Sequence, residues 1–206
     1  MQQKRSLFII PIVHTRADFG SLGSKVPFDK EIEEITTQYW NSVFNYVQNL
    51  TIDFSKLKVY QDGLLDISTE IVAKIVDETQ TPNYNVLRWL KDQGAHIIGT
   101  ESPQLLLEEY QSLQAIFNAP SEELKITARW KYRNNSEFLL EGRDKYIAQR
   151  IKATLPEGGT GILFIGLAHK VKRLLEQEIE VSEPETLIGS SSEVLRNRLF
   201  GKEREL

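Results

Sequence analysis

The chain has 206 residues (23.7 kDa), 40% of them apolar and 26% charged, with no cysteine and three histidines. That length suits a single domain, 1–206, with a sizeable core, and the composition is globular rather than disordered. The absence of cysteine excludes disulfide scaffolds, cysteine-bound zinc, thiol nucleophiles and iron–sulfur ligation. A net charge of -4 and a pI near 5.5 give no electrostatic reason to expect nucleic acid as a partner.

Ser6 to Val13 is a continuous apolar run, the pattern of a strand buried on both faces. It is far shorter than the roughly 20 residues of a membrane span, and no small-residue cleavage site follows it, so the chain reads as cytoplasmic and free of membrane. Pro11 has no amide donor, which places the end of that strand at an edge or in an irregular stretch. A polar loop with two glycines follows from His14. Ile32, Ile35, Tyr39, Val43, Val47 and Leu50 then recur at helical spacing, predicting one long helix over Asp29–Leu50.

Leu57 to Tyr60 predicts a short second strand, ended by Gln61-Asp62-Gly63. Ser68 caps a helix, Pro82 starts another and Gly94 stops it. His96 to Gly99 predicts the third strand, and Pro103 opens the next helix. Residues 121–155 read as helical, with a break or bend near Asn134-Asn135 and Gly142. Gly161 to Ile165 is the fourth strand, passing through Gly166-Leu-Ala-His169 into a helix that runs to Leu175. A short strand near Glu178–Val181 and a final helix around Glu193–Phe200 complete the reading. The expected fold is α/β, a mainly parallel sheet of four to five strands flanked by helices, with a helical insertion before the last long strand. Neither a GxGxxG nor a GxxxxGK[ST] phosphate loop is present.

Open α/β sheets bind ligands at the carboxyl ends of their strands. On this reading the four strands end at His14, Asp62, Glu101 and His169, two imidazoles and two carboxylates on one rim. His96 begins its strand and falls at the opposite rim. Each rim residue has an ordinary structural role open to it, as a turn former or a helix-entry residue. Together they form a nitrogen and oxygen shell suited to zinc, manganese, iron or cobalt, with a position left for water. HExxH and HxH spacings are absent, so only the fold could assemble such ligands. Without a metal, His14 or His169 could act as a general base. Arg143, in Glu141-Gly-Arg-Asp144, is either part of a surface ion pair or a cation that holds a substrate carboxylate or a developing oxyanion.

The stretch Arg143-Asp-Lys-Tyr-Ile-Ala and the strand that closes in Gly166-Leu-Ala-His169 resemble the TraB/PrgY and Tiki group. That group belongs to a wider superfamily with erythromycin-esterase-like and ChaN-like proteins. Its members carry a second Gly-x-x-His after the first strand, where this chain reads Pro11-Ile-Val-His14, and a glutamate after the second, where it has Asp62. The resemblance covers the first strand and roughly residues 141–172. It implies a metal-dependent hydrolase, peptidase- or esterase-like, acting on a small-molecule or peptide substrate. His14, His169 and Asp62 would hold the divalent ion and Arg143 would serve catalysis; Glu101, as a catalytic or completing carboxylate, comes from the strand-end reading alone. Two alternatives stand beside this: a non-catalytic module that binds an anion or haem and regulates a partner, and an interaction protein that uses its long helices. A homo-oligomer is compatible with each.

Overall fold

The computed structural model describes residues 4–13, 15, 30–184 and 187. Its elements are β1 (Arg5–Ile12), α1 (Lys30–Gln48), β2 (Lys58–Leu65), α2 (Thr69–Glu78), α3 (Pro82–Asp92), β3 (His96–Glu101), α4 (Pro103–Phe117), α5 (Glu122–Thr154), β4 (Thr160–Gly166), α6 (Lys172–Leu175) and β5 (Ile179–Ser182). The strands form one sheet in the order β3-β2-β4-β1-β5, and every pairing is parallel. The α/β class with a helical insertion before β4 is therefore as expected. No helix among the described residues is long and apolar enough to cross a membrane.

Alternation along each strand feeds a core on both faces. Ile10 and Ile12 of β1 and Ile162 and Phe164 of β4 pack against α1, α2 and α3. Leu7, Ile9, Leu163 and Ile165 turn the other way, onto Ile147, Ala148 and Ile151 of α5 and Leu175 of α6. Pro11 sits where its missing donor does no harm. The Ser6 amide bonds the carbonyl of Gly159, just ahead of β4, so the odd residues of β1 face β5, whose pairing stops at Phe8. The Pro11 carbonyl is taken by the Tyr39 hydroxyl, and the Val13 carbonyl accepts from Trp40 Nε1 at 2.9 Å. In this way α1 covers the open flank of β1 just ahead of the rim. His14, most of the loop after it and the expected helix around Glu193–Phe200 lie outside the described residues.

Three elements differ from the sequence reading. First, β2 does not end at Gln61. Register runs Gln61 with Gly99 and then Leu65 with Glu101, so β2 spends four residues where β3 spends two. This bulge contains Asp62 and Gly63, the latter at φ 77 where only glycine sits without strain. Its loosened carbonyls are satisfied by side chains: Thr100 Oγ1 donates to the Gln61 carbonyl at 2.7 Å, and Gln61 Nε2 donates to that of Asp62 at 2.8 Å.

Second, α5 runs unbroken for 33 residues through Asn134 and Asn135. Asparagine costs a helix only tenths of a kcal/mol, and Asn135 Nδ2 is drawn to Glu108 of α4 at 3.3 Å. Gly142 is a contact rather than a break, for a β-carbon there would stand 3.5 Å from Leu105 of α4. By contrast, the helix expected through Leu175 is shorter than its sequence suggests. Gly166 to His169 forms a turn, and α6 holds only four residues.

The bulge depends on Gly99, because a β-carbon at that position would fall 1.8 Å from the Leu65 carbonyl oxygen. We expect Gly99→Ala to lower unfolding free energy by about 2 kcal/mol or more, measured by chemical denaturation. An unchanged stability would mean that the close approach of β2 and β3 does not matter.

Candidate metal and catalytic site

Three of the four expected rim residues, Asp62, Glu101 and His169, meet, and Arg143 joins them. The bulge swings Asp62 across β4, where its Oδ2 accepts the Gly166 amide at 2.9 Å. Glu101, the last residue of β3, is fully buried. His169 follows β4 by one turn, and Arg143 descends from α5 into the gap between them.

Arg143 is the hub. Its Nε donates to Glu101 Oε2 at 3.1 Å, and its NH2 group donates to Glu101 Oε1 and to Asp62 Oδ1, each at 2.7 Å. Its NH1 group bonds Glu109 of α4. The guanidinium is thus engaged by three carboxylates, and balancing their charge is the role its geometry supports. A surface ion pair it is not, since the side chain is buried. Its neighbour Asp144, also buried, points to other partners: Oδ1 meets His169 Nδ1 at 2.6 Å, and Oδ2 accepts the Lys170 amide at 2.8 Å.

These contacts set the electrostatics. Burial favours the neutral form of Asp62, but the charges of His169 and Arg143 and the Gly166 amide outweigh it and hold the carboxyl at about 2. Glu101 goes the other way. Burial and the neighbouring Asp62 charge raise its pKa above the ordinary value despite Arg143. The His169 imidazole is also raised: burial opposes its charge, yet the bond to Asp144 and the Asp62 charge prevail. With His169 neutral, the described residues set four carboxyl groups, three of them on Arg143, against one guanidinium, which leaves this group of residues electronegative.

Asp62, Glu101 and His169 each offer one ligand atom, all within 4.8 Å of one another. Asp144 holds the Nδ1–H of His169, which leaves Nε2 as the free nitrogen; it faces Asp62 Oδ2 at 3.4 Å. A lone pair set against a carboxylate oxygen calls for a cation between them, either a proton or a metal. Two ligands about 2.1 Å from one tetrahedral ion stand about 3.4 Å apart, so the donor set and this spacing fit a divalent ion. His96 sits at the far rim, exposed, beside Lys58 and the Pro156 turn.

Glu109 and the pairing of Asp144 with His169 were not anticipated. For the second a signal was present: Asp144, Ile147, Ala148 and Ile151 share one stripe at three- and four-residue spacing, so an acidic residue occupies a core position. Glu109 carried none, because α4 has no fully buried residue to define its inner face.

The raised His169 pKa predicts that, in metal-free protein, its proton titrates above 6.5 and that Asp144→Asn lowers the midpoint, read by NMR. A raised base stabilises fully below its unfolded value and loses that contribution as pH rises through the folded one. The stability gap between wild type and His169→Gln should therefore be widest below pH 6.5 and narrow above it. A midpoint at or below 6.5, or a constant gap, would contradict this. No protein-family model, curated protein or solved structure matches this chain, so its functional reading rests on the site itself.

Proposed function

We propose that this protein is a metal-dependent hydrolase whose divalent ion is held by His169 and Asp62 at the carboxyl rim of the sheet, with Glu101 beside them. The observation that carries the reading is the arrangement of His169, with Nδ1 tied to Asp144 and Nε2 turned toward Asp62 Oδ2. A carboxylate on the far nitrogen of an imidazole fixes its tautomer and raises its basicity, as in carboxylate–histidine–metal sites. The surplus of negative charge and the all-oxygen-and-nitrogen donor set suit zinc, manganese, cobalt or iron. His14, two residues after β1 in the sequence, is the proposed further ligand.

A bound divalent ion supplies Lewis acidity, lowering the pKa of a water toward neutrality and polarising a carbonyl or phosphoryl oxygen. The chain's own groups have separate tasks. Asp144 orients His169. Arg143 holds Asp62 and Glu101 in place and offsets their repulsion. Glu101, whose proton is held more tightly than an ordinary glutamate's, is the group we assign to accept a proton from a nucleophile and return it to a leaving group. The resemblance of the Arg143 and Gly166–His169 stretches to the TraB/PrgY and Tiki group would make the substrate a small ester or peptide.

Purified protein should contain a divalent metal by elemental analysis, and chelation should abolish its hydrolysis of ester and peptide substrates. Asp144→Asn should weaken metal affinity by about tenfold to a hundredfold with the fold retained, and the His14→Ala, His169→Ala double variant should lose the metal. Metal-free protein that takes up none in titration, or a double variant that still binds, would sink the proposal.

A further inference from the structure

At about 1.5 Å per residue, α5 is about 50 Å long and outreaches the sheet it packs on. Its buried residues begin at Leu139. The overhanging half carries the Arg129-Trp-Lys-Tyr-Arg133 stretch, and its outward face is unusually apolar. Ile126 is 63% exposed, Trp130 65% and Phe138 72%. These three stand in one row at four-residue spacing, interrupted only by Asn134. The adjacent row is Arg129, Arg133, Glu137 and Glu141, every one exposed. Rows of this kind are the ridges through which helices interlock.

The order of charges on the second row is informative. Two cations are followed by two anions, so the ridge is complementary to itself only when a second copy runs antiparallel. With the two copies centred at position 135, Arg133 meets Glu137 and Arg129 meets Glu141, and each pairing occurs twice through the two-fold axis. A parallel copy would set cation on cation. Glu141 also holds Lys145 of its own helix at 2.8 Å, which leaves Arg133 with Glu137 as the cleaner pair. Buried aromatics contribute about 150–250 Å² each. Trp130 and Phe138 from two copies would therefore supply a large share of the roughly 1,200 Å² at which specific interfaces begin.

We infer that the overhang of α5 is a homodimer interface, formed by a second copy of this chain packed antiparallel through Trp130 and Phe138 and keyed by Arg133 and Glu137. Such an interface is isologous, and its partner residues are fixed by symmetry. It is independent of the proposed metal chemistry, since none of these residues touches the Arg143 cluster in the contacts described above.

The test is sedimentation velocity on the full chain over a wide concentration range. Wild type should dimerise. R133E and E137R, each alone, should weaken the dimer by roughly tenfold or more, because each sets like charges face to face. An equimolar mixture of the two variants should regain it, and so should the R133E/E137R double variant. Trp130→Ala with Phe138→Ala should give monomer with unchanged circular dichroism. A wild type that is monomeric throughout overturns the inference, as do single variants without effect or a mixture that fails to regain the dimer. A monomer that instead co-floats with anionic lipid vesicles assigns the stripe to a membrane surface and overturns it as well.

Discussion

A single guanidinium buried among carboxylates organises this molecule. Arg143 joins α5 to the ends of β2 and β3 and to α4, so one side chain fixes the insertion against the rim of the sheet. Burying ions is costly, and removing one partner from such a group costs about 3–5 kcal/mol because the others are left uncompensated. Everything near Arg143 is therefore constrained to present acceptors. The bulge in β2, the position of Glu101 at the end of β3 and the approach of Glu109 each supply one.

What the cluster lacks among the described residues is enough positive charge. One guanidinium does not balance Asp62, Glu101, Glu109 and Asp144, and His169 stands among them with one nitrogen already taken. The protein can meet that deficit with protons, which the raised pKa values of Glu101 and His169 accommodate. The proposed divalent ion would also meet it. The same geometry would serve both, and a site that exchanges protons for a metal binds it more tightly as pH rises. Structural clasp and proposed catalytic centre are thus one arrangement.

Much of this was legible in the chain. Apolar runs and helical spacing indicate a parallel sheet with flanking helices, and the rule that function gathers at strand ends selects Asp62, Glu101 and His169. The failures have physical causes. The second strand was expected to end at Gln61-Asp62-Gly63 because those residues favour turns; the chain uses them for a bulge, which tertiary pairing with Gly99 stabilises. Asn134 and Asn135 weaken a helix locally, but the contact of α5 with α4 outweighs so small a preference. Glu109 carries no local signal because its role depends on how the middle of α4 packs against α5, a long-range matter that no local pattern encodes. His14 is the one expected ligand outside the described residues.

The central claim is that His169 and Asp62 hold a divalent ion in a nitrogen and oxygen shell. Cobalt(II) reports this directly, since its visible absorption reflects the ligands and their geometry. Titrating metal-free protein with cobalt should produce a saturable spectrum at one equivalent, without the intense thiolate bands that a cysteine-free chain cannot give. His169→Ala should abolish it while circular dichroism is unchanged. A spectrum no different from that of aqueous cobalt, or one that survives the substitution, would contradict the account.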